Sequence, residues 1–384
     1  MAKAMNVGII GTGFMGRAHS QAWASVNRFF GDLPRHVVMR TACGTDAART
    51  RAFADRWGWA SAATDASRVW RDPVINLVDL LTPNHLHAKH AIAALDAGKH
   101  VACEKPLAGT LADARAMRDA ARRHRRQRTF VWFNYRRTPA VAFAHQLLKR
   151  GKLGRIFHVR AHYLQEWGGP DTPLSWRYKG KLAGSGAHGD LNAHIIDMTR
   201  FITGEEITEI SGAIEETFIQ RRPGTGKAVK IGRSTVDDCV LFLARFSGGA
   251  VASFEATRLA TGNYNRNGFE INGEKGAIKF DFERMNELQW WDATLEPGLR
   301  GWSTINCSVA GAHPYLEAYW PTGHGVGYEH TFISQAADIV RVVSGRTPVV
   351  PLPDFQDAYQ TQRVLEAALR SARQRRAVRL SEVK

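Results

Sequence analysis

Asp190 and His194 stand four residues apart in a stretch with helical periodicity. On a helix they share one face, so the carboxylate can sit beside the imidazole, orient it and help fix its protonation state. Histidine titrates nearest neutrality, which suits a base that takes a hydroxyl proton as hydride departs from the same carbon. Lys105 is a second chemical group, set beside Pro106 at the end of a strand-like run. A proline that fixes the backbone lets the ammonium stand near a substrate hydroxyl and stabilise the developing alkoxide. Each group also has a plain structural reading: a carboxylate complementing a helix dipole, a hydrogen-bonded core histidine, a lysine in an ordinary turn. His188, Asp190 and His194 together resemble a ligand set, but hydride transfer needs no metal once an acid/base is at hand. No further ligand cluster is visible, so no metal is expected.

Hydride chemistry calls for a cofactor, and Gly11-Thr12-Gly13-Phe14-Met15-Gly16 follows a strand-like run and opens a helix, the context of a dinucleotide loop. Gly11 permits the tight turn, Gly13 lets a pyrophosphate approach the backbone, and Gly16 lets helix pack on strand. The phosphates then meet the free N–H groups of the helix. The bland alternative is a glycine-rich turn without a ligand. A doubly wound sheet places its ligand at the carboxyl ends of its strands. The expected contacts are therefore Gly11, Gly13, Phe14, Met15 and Gly16, then Thr82, Pro83, Asn84 and His87, and finally Glu104 and Lys105. At the end of the second strand, Cys43-Gly44-Thr45-Asp46, Gly44 stands where an acid would select NAD. Asp46 substitutes for it if the loop is shifted, whereas Gly44, Thr45 and Arg49 leave space and charge for a 2′-phosphate. The cofactor is NAD or NADP, with the balance toward NAD.

The elements that must hold these groups alternate over the first third of the chain. Strand patterns cover 5–10, 37–43, 77–81, 100–104 and 129–133, and helical ones 15–26, 85–97 and 111–121, the signature of a parallel sheet wound with helices. After Arg137-Thr138-Pro139 comes a helix over 140–149, a strand over 156–163, and a loop rich in Gly, Pro and Trp. Strands over 207–219, 236–246, 251–257, 269–272 and 277–282 follow, joined by turns at Ser247-Gly248-Gly249 and Gly273-Glu274-Lys275-Gly276 that predict antiparallel hairpins. Helices over 330–344 and 355–373 close the chain. The fold class is an α/β N-terminal Rossmann domain, residues 1–133, plus an α+β C-terminal domain, residues 134–384, with a large open, mainly antiparallel sheet. The second domain would bind substrate and support oligomerisation.

Composition limits the partners. At roughly 150 residues per domain, 384 residues make two to three domains, and 44% hydrophobic with 23% charged excludes disordered and fibrous classes. The net charge of +16 has its densest run at Arg122 to Arg128, after a helix, and a second run at Arg370 to Arg376, at the end of the last helix, each complementing a helix dipole. Neither is interleaved with aromatics that stack on bases, so no nucleic-acid partner is expected. The apolar stretch from Val74 to Leu81 is broken by Asn76 and Asp79 and falls short of the ~18 residues of a membrane span. Residues 1–11 lack the pattern of a secretory signal, and Cys43, Cys103, Cys239 and Cys307 show no paired spacing. A cytoplasmic location is expected.

Taken with Thr82-Pro83-Asn84, Glu104-Lys105-Pro106, and Gly184-Ser185-Gly186 leading into Asp190, His194 and Asp197, the glycine loop resembles the Gfo/Idh/MocA oxidoreductases over nearly the whole chain. That family includes glucose-fructose oxidoreductase and inositol dehydrogenase. The resemblance implies that Lys105, Asp190 and His194 form the catalytic group of an NAD(P)-dependent enzyme oxidising a secondary hydroxyl of a pyranose, anhydrosugar or cyclitol. Where the family carries a glycine two before the histidine, this chain has Asn192. The segments 133–139, 163–167, 173–177 and 312–315 look more narrowly like levoglucosan dehydrogenase and its sugar-oxidising relatives within the family.

Sugar pockets need planar apolar faces for C–H edges and fixed polar groups for hydroxyls. Tyr135, Gln165, Trp167, Trp176 and Arg177 supply both in the loop-rich stretch, and His324 is expected to close the pocket from the other side. The partners are thus a small-molecule carbohydrate and a second copy of the chain, as a homodimer or homotetramer through the open sheet, whose face the few remaining helices cannot cover. Two rivals stand beside this reading. One is a sugar sensor on the same fold without turnover; the other is a glycosidase using tightly held NAD in an oxidation, elimination and re-reduction cycle.

Overall fold

The computed structural model describes residues 3–225 and 230–384. Met1 and Ala2, within the stretch read for a leader, lie outside the described residues. The chain packs as two compact units. The first contains the described residues up to Arg137 together with Pro314–Pro321 and Val326–Tyr359; the second contains Thr138–His313, Thr322–Gly325 and Gln360–Lys384. Set beside the expected division at 133/134, two later segments return to the first unit.

The first unit is built on six parallel strands: β1 (Lys3–Ile10), β2 (Arg35–Cys43), β3 (Ser61–Ala63), β4 (Leu77–Leu80), β5 (His100–Cys103) and β6 (Thr129–Val131). Their order is β3-β2-β1-β4-β5-β6, so the chain reverses direction across the sheet between β1 and β4. Helices Phe14–Phe29, His87–Asp96 and Leu111–Arg123 make the crossovers read from periodicity. Helix Ala47–Trp57 and β3 were not expected. Only Thr50 and Ala54 of that helix are buried, so its apolar stripe is too narrow to show as a period, and a three-residue strand has no period at all. Strand β4 is buried throughout, which places Asp79 in the core, a position a carboxylate holds only when hydrogen-bonded.

The second unit carries β7 (Ile156–Leu164), β8 (Ile207–Glu216), β9 (Arg221–Pro223), β10 (Ile231–Arg233), β11 (Cys239–Phe246), β12 (Val251–Thr257), β13 (Arg266–Gly273), β14 (Gly276–Asp281), β15 (Glu287–Asp292), β16 (Ser303–Asn306) and β17 (Val378–Arg379). Strands β9 and β10 pair alone; the other nine form one sheet in the order β16-β15-β14-β13-β7-β12-β11-β8-β17. Both expected hairpins, β11/β12 and β13/β14, are antiparallel, and β7 pairs with β12 in parallel. Strand β11 alternates Val240, Phe242 and Ala244 inward against exposed Leu243 and Arg245, the period of a half-buried strand. Helices Pro139–Lys149 and Ala193–Thr203 pack on each other and on the sheet, the first against β14 and β15, the second against β7 and β13.

Candidate functional site

In the first unit the glycine loop has the steric requirements expected of it. Gly11 has φ +120°, and a Cβ there would lie 2.6 Å from the Leu81 carbonyl oxygen. A Cβ at Gly16 would lie 2.6 Å from the Gly11 oxygen, so only glycine lets this helix start against this loop. Around Gly13, the N-cap of helix Phe14–Phe29, no atom lies within 4 Å of a Cβ position, and the residue is exposed. Phe14 is exposed beside it and Met15 is partly covered. An open glycine cradle at a helix N-terminus fits a dinucleotide pyrophosphate.

At the end of β2, a Cβ on Gly44 would collide with Thr50 Oγ1 and lie 3.0 Å from Thr12 Oγ1, so no acid fits there. Asp46 caps helix Ala47–Trp57, its Oδ1 accepting the Arg49 N–H at 2.8 Å. Beyond β4, Thr82, Pro83 and Asn84 are half-buried and lead through a 3₁₀ turn to the helix that begins at His87. The His87 ring is buried, with Nε2 2.9 Å from the Thr82 oxygen and Nδ1 3.1 Å from the Pro106 oxygen. Burial holds its pKa below the ordinary histidine value. His87, expected beside the dinucleotide, ties the Thr82 loop to the Lys105–Pro106 turn, whose peptide bond is cis. Glu104 likewise turns its carboxylate inward: Oε1 is 3.0 Å from His19 Nε2, and Oε2 accepts the Lys105 backbone N–H at 3.1 Å. Lys105 itself is half-buried.

The second unit holds Asp190 and His194. A carboxylate from outside the helix sets its start, because Asp237 accepts the N–H groups of Gly186 and His188, both at 2.7 Å. A Cβ on Gly186 would collide with the Asp237 backbone oxygen, which explains the glycine. Residues His188–Asn192 form one π-helical turn, and the α-helix proper begins at Ala193. Asp190 is therefore on a widened turn rather than on the regular helix the spacing predicted, a local irregularity frequent at functional sites. Asn192 has a structural use here: its Nδ2 lies 2.9 Å from His188 Nδ1 and donates to the Val240 oxygen. With His188 Nε2 2.9 Å from the Leu365 oxygen, that ring is fully engaged in the core. Among the described residues no group of three or more His, Cys, Asp or Glu side chains could hold a metal.

A continuous run of side chains joins the two candidate groups. The buried His194 ring stands 5.8 Å from Tyr163 on β7. The Tyr163 hydroxyl donates to Asn265 Oδ1 at 2.7 Å, and Gln165 Nε2 donates to the same oxygen at 2.8 Å. Gln165 Oε1 accepts the Trp167 indole N–H at 2.6 Å. Trp167 lies under the Arg258 guanidinium, 4.9 Å from its ring centroid, and Arg258 donates to Asp190 Oδ2 at 2.8 Å. Sequence reasoning singled out Gln165 and Trp167 but missed Tyr163, Arg258 and Asn265. Arg258 and Asn265 sit just outside strands β12 and β13, where a charged or amide residue looks like any strand end. Trp176 and Arg177 lie on the 3₁₀ turn Trp176–Tyr178, stacked on each other at 4.7 Å. Tyr178, at the end of that turn, packs edge-on against Trp167 at 6.2 Å. Tyr135 belongs to the first unit, buried and edge-on to Tyr328 at 6.4 Å, and His324 is exposed in the second.

Residues 5–133 match the family described as "Oxidoreductase family, NAD-binding Rossmann fold", and residues 141–279 match the GFO/IDH/MocA C-terminal domain. The chain belongs to the Gfo/Idh/MocA oxidoreductases. Levoglucosan dehydrogenase of Pseudarthrobacter phenanthrenivorans is 42% identical over 96% of each chain. A solved levoglucosan dehydrogenase in complex with NADH and levoglucosan superimposes with a TM-score of 0.92, at 42% identity, over 98% of this chain and 99% of that one. An oxidoreductase domain protein from Kribbella flavida gives a TM-score of 0.94 at 47% identity, over 98% and 99%. This Gfo/Idh/MocA member is an NAD(P)-dependent sugar or polyol dehydrogenase, acting on CH–OH groups. No helix among the described residues is long and apolar enough to cross a membrane.

Proposed function

We propose that the enzyme oxidises a ring hydroxyl of an anhydrosugar such as levoglucosan to the ketone, reversibly, with NAD. The observation that carries this is the side-chain run from His194 through Tyr163, Asn265, Gln165 and Trp167 to Arg258 and Asp190. It combines a planar indole face with hydrogen-bonding groups held by one another, the two things a pyranose ring requires. Likeness to an enzyme that acts on levoglucosan supports the choice of substrate.

In this reading His194 receives the hydroxyl proton, and Asp190, held by Arg258, orients it. Lys105 hydrogen-bonds the same oxygen and stabilises the charge that develops there. The glycine cradle and the loops after β4 and β5 bind the dinucleotide, whose nicotinamide supplies the hydride acceptor when bound. The proton and the hydride leave one carbinol unit separately, which balances the oxidation to a ketone. Gly44 and the cap role of Asp46 leave no acid fixed at the end of β2, so NAD in place of NADP rests on the likeness to NADH-binding relatives. We infer a cytoplasmic enzyme, in keeping with four free thiols, and a homodimer or homotetramer, in keeping with Ile214 and Leu243 exposed on the sheet.

The test is absorbance of reduced nicotinamide over a panel of anhydrosugars, pyranoses and inositols, with NAD and with NADP. Levoglucosan with NAD is expected to turn over fastest and to release free NADH, which a glycosidase cycle and a sensor do not. His194→Ala should abolish turnover with dinucleotide binding intact. Faster turnover of an inositol than of any anhydrosugar would overturn the substrate assignment.

A further inference from the structure

His19 lies on helix Phe14–Phe29, three residues past the glycine loop, and is fully buried. Its Nδ1 is 2.9 Å from Asp79 Oδ2 and its Nε2 3.0 Å from Glu104 Oε1. A neutral imidazole has one N–H, so between two acceptors it would turn a lone pair toward a carboxylate oxygen. Both carboxylates accept further N–H groups besides the ring. Asp79 also accepts the indole N–H groups of Trp23 at 2.7 Å and Trp132 at 2.8 Å, one on each oxygen. Glu104 accepts the Lys105 backbone N–H on its second oxygen.

We infer that His19 is a positioning residue of the reaction: an imidazolium clamped between Asp79 and Glu104, it fixes Glu104 and, through it, the backbone from which Lys105 projects. This rests on the proposed role of Lys105. Burial opposes the charge, but attraction and hydrogen bonds to Asp79 and Glu104 outweigh it and push the ring's pKa up to about 9. Trp132 and Phe332 cover the ring at 4.2 and 5.3 Å, so water cannot substitute for either carboxylate. The neighbouring Cys103 thiol, its pKa raised by burial and then by Glu104 and Asp79, stays neutral. No other group of the proposed chemistry uses His19, yet its ring bridges two buried carboxylates, one of them next in sequence to Lys105.

Two measurements separate this inference from the reading beneath it. Protein labelled with ¹⁵N in its histidine rings, with His19 assigned by its loss in His19→Gln, should show a ring doubly protonated through neutral pH. A neutral His19 at pH 7 overturns the clamp whatever Lys105 does. In kinetics, His19→Gln should lower kcat roughly tenfold to 10²-fold with little change in NADH affinity, because a small displacement of a catalytic group is enough for such a loss. In a Lys105→Ala background the same change should do almost nothing. Full turnover by Lys105→Ala would remove Lys105 from the reaction and leave the clamp; undiminished loss in the double variant would sink the positioning role. If His19→Gln does not fold, Glu104→Gln keeps the shape, should leave His19 neutral, and should show the same kcat loss; unchanged kcat there overturns the inference.

Discussion

Removing the charge at position 19 should change how stability depends on pH. The imidazolium has a folded-state pKa of about 9 against an ordinary 6.5. A rise of that size is worth about 3 kcal/mol, a large share of the roughly 5–15 kcal/mol that holds a protein folded. Because the folded value lies above the unfolded one, this stabilisation is complete below about pH 6.5 and is lost as pH climbs through about 9. His19→Gln lacks it at every pH. Denaturant unfolding of both proteins in buffers from about pH 6 to 10 should therefore show a stability gap that is widest at the acid end and narrows by about 3 kcal/mol at the alkaline end. Other groups that titrate over this range are common to both proteins and cancel in the difference. A gap of constant width would mean that the ring is not charged between Asp79 and Glu104, and the electrostatic reasoning would fail.

Gly11→Ala puts a Cβ 2.6 Å from the Leu81 oxygen at φ +120°, costing about 1–3 kcal/mol of strain, and should abolish the rise in melting temperature caused by NADH; an undiminished rise would place the pyrophosphate elsewhere. Arg258→Met keeps bulk under Asp190 and Trp167 but removes the guanidinium 2.8 Å from the carboxylate. The sugar KM should rise roughly tenfold with dinucleotide affinity unchanged, as expected when a site loses a fixed polar group; equal loss of both affinities would point to general disorder. Asp237→Ala removes the acceptor of two helix-start N–H groups and should lower stability by roughly 2 kcal/mol in denaturant titration, with kcat falling as well. Unchanged kcat would mean that the start of this helix does not govern the placement of Asp190 and His194.

The parallel sheet was legible in the chain because β1, β4 and β5 are short apolar runs set between helices with clear stripes. The glycine loop was legible because backbone clashes at Gly11 and Gly16 leave one residue type possible, and that constraint is local. Both hairpins were legible for the same reason, since their turns act over four residues or fewer. Helix Ala47–Trp57 was not, because a helix that buries so little has no pattern to read. What the tertiary structure alone decided is which polar groups face each other. Asp79 interrupts an apolar strand, and nothing near it in sequence says that His19, Trp23 and Trp132 will supply three donors from 53 to 60 residues away. Arg258 is 68 residues from Asp190, and Asp237 is 49 residues from the helix it caps. Periodicity and turn chemistry are written in neighbouring residues, whereas the pairing of buried charges depends on how elements stack, so the fold was read from the chain and the support of its chemistry had to be seen in three dimensions.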